Sequence, residues 1–521
     1  MTNSRRTFLK TVGLTVGGTG LAATVTGTES TSDSTNSDDQ SSTEGWTHLR
    51  CGPQNTGYKP EGPTARGFES SWKQEWNDEY LVTDPVAADG TVYFARQVDS
   101  GGKLYAFDAT DGTVQWTADV DAYPQQPAVF GDSLYLRADG DLYAYAIADG
   151  SRRWSYEADN YDEVTAHESG VYIDTETAVV ALDHDGTERW RHELGTVRMN
   201  APAVKDGLVV VGYDGVENFG VVALDVETGD EVWSEEGPGT LFAPVAIRDG
   251  RAYVPVYHGG IQAFELQTGA RLWEADFEGR RLDSLNEVFV ATEDALYALV
   301  DSDDDDDDVA ILKLDPETGD EQARWLFGNV REQLTVVGDT LYCVSWVRDG
   351  TGCRIDVVLA IDRHDGVVRE AMRHDEANTK RTWQTSPFVV DGKMYVGSGW
   401  TANDGTQTER LAAYDVAEST DEEIPDERPS ASIEVRDEGD GTYTLDGSGS
   451  TGFDDSVTYL WDVYDNDTID DTGSTTTVET DGCGSFTVRL KMYDDDYRID
   501  QTRVRWDGSN WSDGDSDSDG E

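Results

Sequence analysis

Positive charge is what this sequence has least of. Its 521 residues carry 40 Lys and Arg, only nine of them Lys, against 104 Asp and Glu, a formal net charge of −64. Neutralising phosphates needs a basic face, so the balance argues against a nucleic-acid binder and, for the same reason, against an anionic membrane surface. Carboxylates this dense repel one another and destabilise a compact state in dilute buffer. At about 1 M salt the Debye length is roughly 3 Å and that repulsion is screened. Lysine poverty with surplus Asp is the pattern of proteins from extreme halophiles, and the chain reads as adapted to brine. Cysteine is also scarce. Cys51, Cys343, Cys353 and Cys483 include no CxxC pair, which excludes a disulfide scaffold and a zinc ribbon. Cys343 and Cys353 flank one predicted hairpin; free thiols are favoured there, because the turn at 349–352 does not set them directly opposite. HExxH, GxSxG, P-loop and Rossmann patterns are all missing, and the seven His form no ligand-like group.

Aromatic residues are plentiful, with 15 Trp and 23 Tyr at regular spacing, and disordered chains are poor in them. Most of the chain is therefore expected to fold. At the N-terminus, Ser4-Arg5-Arg6-Thr7-Phe8-Leu9-Lys10 precedes a weakly apolar run at 11–25. This resembles a twin-arginine signal, which sends folded cargo across a membrane. The run is too short and too polar to span a bilayer, and no cysteine at its end marks a lipid anchor. The expectation is a signal peptide at 1–27, a disordered polar linker at 28–45, and an exported protein, extracellular or associated with the cell surface.

One phrase of roughly forty-residue period fills the middle of the chain. It reads LYAFDATDGTVQW (104–116), LYAYAIADGSRRW (142–154), VVALDHDGTERW (179–190), VVALDVETGDEVW (221–233), IQAFELQTGARLW (261–273) and ILKLDPETGDEQARW (311–325), with degenerate copies at 358–372 and 411–418. Each copy follows an alternating run such as DGTVYFAR or GDSLYLRA, the signature of antiparallel strands in tight hairpins. About four strands per forty-odd residues predicts propeller blades rather than a sandwich. The Gly of the phrase supplies a turn with positive φ. The Trp that follows is placed to dock on the neighbouring blade: Trp76, Trp116, Trp154, Trp190, Trp233, Trp273 and Trp325. Counting predicts eight blades. The last lacks its fourth strand, which residues 68–76 are available to complete; seven blades with an appended hairpin is the alternative.

The phrase Ala-x-Asp-x-x-Thr-Gly-x-x-x-Trp resembles the docking motif of the pyrroloquinoline-quinone (PQQ) repeat family, over about residues 46–418. The opening Trp46-Thr47-His48-Leu49-Arg50-Cys51-Gly52-Pro53-Gln54-Asn55-Thr56-Gly57 is similar to the segment that begins many such propellers. The resemblance implies an all-β chain, an eight-bladed β-propeller like that of the quinoprotein dehydrogenases. It leaves chemistry open, because the family holds both quinone enzymes and cofactor-free scaffolds. The dehydrogenases typically hold PQQ in the axial funnel with calcium, an Asp base and an adjacent Cys-Cys disulfide. This sequence has no vicinal cysteines, so no cofactor is the expectation and PQQ with calcium the alternative. Residues entering the innermost strands are funnel-lining candidates: Asp84, Gln126, Asn200, Phe242, Asp283, Gln333 and Gln384, with Arg198, Arg281, Arg331 and Trp383 nearby. No catalytic residue and no metal ligand is assigned among them. The acidic run at 301–308 reads as a solvated hairpin loop.

An acidic linker is expected at 419–428, a small sandwich at 429–506 and an acidic disordered tail at 507–521. LDGSGSTG (445–452), Tyr459-Leu460-Trp461-Asp462 and GSFTV (484–488) resemble a polycystic-kidney-disease (PKD) domain, an immunoglobulin-like sandwich, with Trp461 read as core. The combined expectation is an exported, non-catalytic propeller that binds a protein or glycan at the cell surface, monomeric and without membrane insertion of the mature chain. The alternatives are a PQQ-dependent extracellular oxidoreductase and a polysaccharide-binding propeller. The charge makes one prediction directly: thermal unfolding in about 3 M KCl should occur well above that in about 0.1 M, and equal midpoints would defeat the brine reading.

Overall fold

A computed structural model describes residues 45–513, apart from 77–82, 99–100, 159–162, 196–197, 215–218, 237–243, 257–259, 278–280, 283–288, 302–308, 327–328, 349–353, 374–378, 403–406, 418–429, 440, 454–456, 464–469, 480–484, 494–498 and 507–508. The signal, the interdomain linker, the acidic loop at 302–308, Phe242 and Asp283 lie outside the described residues. Every regular element among the described residues is a β-strand.

Between Gly45 and Val416 the strands form eight sheets of four or five strands, each built on an antiparallel meander in chain order, to which Tyr58–Lys59 adds a parallel strand in the seventh and Phe68–Trp76 an antiparallel one in the eighth. The first sheet runs Val86–Ala88, Thr91–Val98, Gly101–Asp108, Val114–Val120, and Gly45–Trp46 is added at its inner edge. The first strands of successive sheets touch one another in sequence: Val86–Ala88, Pro124–Phe130, Thr165–His167, Ala203–Lys205, Ala246–Arg248, Phe289–Ala291, Asn329–Val337 and Phe388–Val390. The last of these meets Gly45–Trp46, so the series returns to its start. The protein is a β-propeller with these strands around its axis.

Hydrophobic alternation alone does not hold the sheets together; the fourth strand does. The indole N–H of Trp116 donates to Ile147 O at 2.7 Å, Trp154 to His184 O at 2.9 Å, Trp190 to Val226 O at 3.1 Å, Trp233 to Leu266 O at 2.7 Å and Trp273 to Pro316 O at 3.1 Å. Each acceptor sits in the turn of the following sheet. Each ring also lies flat over the Gly of that turn: a Cβ added to Gly150, Gly186, Gly229, Gly269 or Gly319 would meet ring atoms at 2.4–2.7 Å. Trp325 covers Gly366 in the same way. The turn Gly is therefore required twice, once for φ of 69–89° and once because nothing larger fits beneath the ring.

The ring closes through Phe68–Trp76, which pairs antiparallel with Gln407–Val416 and supplies the fourth strand of the eighth sheet. Trp76 packs on the neighbouring first sheet as expected, but a different residue reaches the turn. Trp72, not Trp76, donates to Ala109 O at 3.0 Å and covers Gly112. Both lie on one face of the strand, opposite Ala413 and Glu409, and the Gly-containing turn comes beneath the first of them. Trp76 instead stacks on Phe94 at 5.7 Å and takes the Arg96 guanidinium over its ring at 5.0 Å. Arg96 also pairs with Glu409 at 2.8 Å, both side chains 3% exposed, and Arg410 pairs with Glu75 at 2.6 Å. Arg96–Glu409 thus fastens the eighth sheet to the first, and Arg410–Glu75 fastens the closing strand to its neighbour within the eighth.

Beyond the propeller, a three-stranded and a five-stranded sheet pack face to face. Leu445 and Val478 of one meet Trp461, Val488 and Leu490 of the other in a common core. Trp461 is fully buried and donates to Gly473 O at 2.8 Å. Regular structure extends past the expected limit at 506. Trp511–Asp513 pairs with Val504 to Trp506 because the Trp511 ring packs on Trp506 and Tyr443, at 5.5 and 5.6 Å. Residues 514–521 lie outside the described residues. Cys343 is a buried free thiol, which burial holds protonated by raising its pKa.

The two roles of the turn Gly separate by mutation. Gly229→Ala should cost about 2–4 kcal/mol from positive-φ strain plus collision with Trp190. Gly207→Ala, at φ of 80° with open space around it, should cost only about 1–2 kcal/mol. Urea unfolding of both variants in about 3 M KCl measures the difference; equal costs would show that the indole contact does not constrain the turn.

Candidate functional site

The axis is where a propeller of this kind can hold a ligand, and one of its ends is filled by the chain itself. Residues 46–58 form almost no regular structure, yet Trp46, Thr47, His48, Leu49, Arg50, Pro53 and 55–58 are buried. The segment visits the inner strands in order. Trp46 pairs with Ala87 of the first sheet. Val129 N–H donates to Thr47 O at 2.9 Å, Ala166 N–H to His48 Nε2 at 3.0 Å and Val204 N–H to Pro53 O at 2.7 Å. Ile247 N–H then donates to Gln54 O, Ala291 N–H to Thr56 O and Val336 N–H to Gly57 O, at 2.9–3.0 Å. Trp46 also stacks on Phe388 of the eighth sheet at 5.4 Å. Sheets two to seven therefore each give one inner-strand N–H to the plug. Left buried and unpaired, such a group costs about 1–3 kcal/mol.

The plug is shaped by its own polar residues. Arg50 donates from Nε to Asn55 O at 3.0 Å, also donates to Phe289 O, and lies 5.2 Å from the Phe289 ring centre. Asn55 and Cys51 adopt positive φ of 56° and 74°, a conformation Asn tolerates well. Asn55 Nδ2 reaches Ala201 O and Pro202 O at 3.2 and 3.3 Å. Burial pushes the Cys51 thiol up to about 12, so it is no nucleophile at neutral pH.

Three residues before Ala87, just ahead of the inner strand Val86–Ala88, stands the funnel candidate Asp84. Asp84 Oδ2 accepts from Gln126 Nε2 at 2.8 Å and Oδ1 from Ser386 N–H at 2.8 Å. The carboxylate thereby ties together the first, second and eighth sheets. Burial raises its pKa to about 6 despite both hydrogen bonds, and Gln126 Oε1 is buried without a partner among the described residues. Of the remaining candidates, Arg198 pairs by register with Asp214, Arg281 with Asp301, Trp383 with Gly399 and Gln384 with Ser398. Gln333 falls in a register shift between Arg331 and Thr335, and Asn200 N–H donates to Gly212 O at 3.3 Å. Only Asp84 and Gln126 are brought into contact by a described hydrogen bond. Ser386, His48 and Asn55 were not selected from the sequence as site residues. For Ser386, the Ser-Pro step at the same place as Asp84-Pro85 and Gln126-Pro127 was the available signal.

No group of three or more His, Cys, Asp or Glu that could hold a metal occurs among the described residues. Both oxygens of Asp84 are already engaged by the protein, and the described residues supply no calcium-ligand set for a quinone. No reaction step follows from them.

His48 and Asp84 make opposing contributions to stability. Burial lowers His48 from 6.5 to about 4, so between those values the unfolded chain binds a proton the folded one refuses, and stability rises with pH. Asp84 is raised from 3.8 to about 6; the folded state keeps a proton the unfolded chain has lost, and stability falls as pH rises across that window. Each effect is on the order of 3 kcal/mol. Relative to wild type, His48→Gln should lose stability and Asp84→Asn gain it as pH is raised from 4 to 6.5. Urea midpoints at constant salt test this, and parallel curves for all three proteins would refute both assignments.

A family profile described as outer membrane protein assembly factor BamB matches residues 69–175, 175–323 and 257–438. The BamB of Shewanella oneidensis is 25% identical over 198 residues, 36% of this chain and 47% of that protein. The serine/threonine-protein kinase AfsK of Streptomyces griseus is 28% identical over 149 residues, 25% of this chain and 18% of the kinase. The chain thus spans less than half of either relative. Among solved structures, the quinohemoprotein alcohol dehydrogenase of Pseudomonas putida HK5 superposes with a TM-score of 0.53 at 14% identity, covering 74% of this chain and 82% of the enzyme, a likeness of fold alone. With the matches running from 69 to 438, this chain belongs to the PQQ-like propeller repeat family that carries the BamB description.

Proposed function

We propose that the protein is an exported, non-catalytic propeller that binds a protein partner at the cell surface. The observation that carries the reading is the plug: residues 46–58 occupy one end of the axis and take an inner-strand N–H from each of six sheets. Membership of a family described as an assembly factor supports the same reading. Export rests on the twin-arginine-like opening, with a signal at 1–27 and a polar linker to 45. The propeller domain spans 46–418 and an acidic linker 419–428. A PKD-like module from 429 then serves as spacer or adhesive unit, and the acidic tail follows it. A brine habitat accounts for the charge, and the mature chain is a monomer without a membrane segment.

A second reading, a PQQ-dependent oxidoreductase, is favoured by Asp84 alone. A carboxyl near 6 at the head of the inner strands is suited to accept a proton at neutral pH. One experiment separates the two. The full chain is cross-linked in envelope extracts at about 3 M KCl, and in parallel supplied with PQQ and calcium in a dye-linked dehydrogenase assay. The scaffold reading expects a stoichiometric envelope protein in the cross-linked product and no dye reduction. Turnover that is lost in Asp84→Asn would replace it with the enzyme reading.

A further inference from the structure

The fourth strand of each sheet lies at the rim of the propeller, and in the first, fourth and fifth sheets it is a solvent edge. Val114, Val232 and Leu272 in those strands are 44–46% exposed, and most of their neighbours are exposed with them. The fourth strand of the seventh sheet, Val368–Arg373, departs from this. Val368 is opposite Ile361 as Val114 is opposite Phe107, yet Val368 is 1% exposed, and Val367 and Ala371 are buried too. The strand's own side chains do not supply the cover. Glu370 is opposite Ala360, the register at which sheets one to five carry the docking Trp.

The second domain has a matching anomaly. Its five-stranded sheet turns Trp461, Val488 and Leu490 inward to the sandwich core. Alternation and register therefore put Leu460, Asp462, Arg489, Lys491, Arg503 and Arg505 on the opposite face. Such a face is ordinarily solvated, as it is on the three-stranded sheet, where Thr475, Thr477 and Glu479 are exposed. Here Leu460 is 1% exposed, and Asp462 and Arg489 form a buried ion pair at 2.9 Å. Leu460 belongs to one continuous apolar core with Trp325, Val368 and Ala371, all of them propeller residues.

We propose that this sheet face is a docking surface whose partner is the propeller's own rim at the sixth and seventh sheets, so that the sandwich is a fixed cap on the ring. Charge supports the pairing. Four of the sandwich's five described cations, Arg489, Lys491, Arg503 and Arg505, lie on the docking face, and the rim strands carry Glu321 and Glu370. At molar salt long-range attraction is screened, so the apolar contact around Leu460 and the buried ion pair hold the cap. Docking leaves the exposed face of the three-stranded sheet as the surface the module presents outward. Without the cap, Val368 and Ala371 would stand on an apolar edge strand open to pairing with another chain. The inference is independent of export and of what the propeller binds.

The test is amide hydrogen exchange of the full chain in about 3 M KCl, read by mass spectrometry and corrected for intrinsic rates. Amides at 368–372 should exchange at least about tenfold more slowly than those at 231–235, the same strand of the fourth sheet. Leu460→Asp should bring the two segments to similar rates while leaving 231–235 unchanged. Thr477→Asp, on the exposed face of the other sheet, should alter neither. Where Leu460→Asp unfolds the sandwich, seen as rapid exchange in the strand of Trp461, the paired reversal Lys491→Glu with Arg503→Glu carries the test, since both side chains lie outside the sandwich core. Exchange at 368–372 as fast as at 231–235 in the wild type, or slow exchange that neither Leu460→Asp nor the charge reversal alters, overturns the proposal.

Discussion

The contact on which everything else rests is a tryptophan lying on a glycine of the next sheet. Each sheet is a flat meander with two apolar faces and cannot be stable alone. The indole converts stacking into registry: its N–H donates to one carbonyl in the following turn while its ring lies over the turn's Gly. A ring contact alone would let neighbouring sheets slide, and a hydrogen bond alone would let them splay. Both together fix the rotation between sheets, and repetition of the same pair carries the series around to Trp72 and Gly112.

The N-terminal stretch contributes to that circuit twice. Residues 46–58 occupy one end of the axis, and farther along the N-terminal stretch Phe68–Trp76 becomes the last fourth strand. Inner strands of a propeller face a crowded axis and have N–H groups with no neighbour on that side. Here the chain's own carbonyls and His48 accept from them. The joint so formed is ionic as well as apolar, with Arg96 between Glu409 and Trp76. At molar salt such a buried pair is shielded from the screening that weakens exposed ones.

Much of this was legible beforehand because it repeats. The period, the four strands, the turn Gly and the identity of the closing strand all follow from phrases that recur, and a recurring phrase averages out local accident. What occurs once was not legible. Residues 46–58 show neither alternation nor helical spacing, and nothing in His48 or Asn55 marks them as acceptor and donor to inner strands. Trp72 and Trp76 share residue type and strand face, and only the turn beneath decides which of them caps it. Asp84 and Gln126 were chosen from position alone, whereas Ser386, their third partner, is 302 residues from Asp84. The face-to-face pairing of Leu445 with Trp461 was likewise foreshadowed by alternating strands. The edge strand at Trp511 was not, because it is three residues long.

The pairing of Phe68 with Val416 has a mechanical consequence. The entering and leaving ends of the propeller are directly opposed on adjacent antiparallel strands, so tension between the chain's two ends would peel that sheet one hydrogen-bonded pair at a time, the weakest loading geometry a sheet offers. The load does not arrive there first. Pulled from its N-terminal side, the chain must strip residues 46–58 from sheet after sheet before the closing strand feels any force, so the plug is a strain relief at the seam.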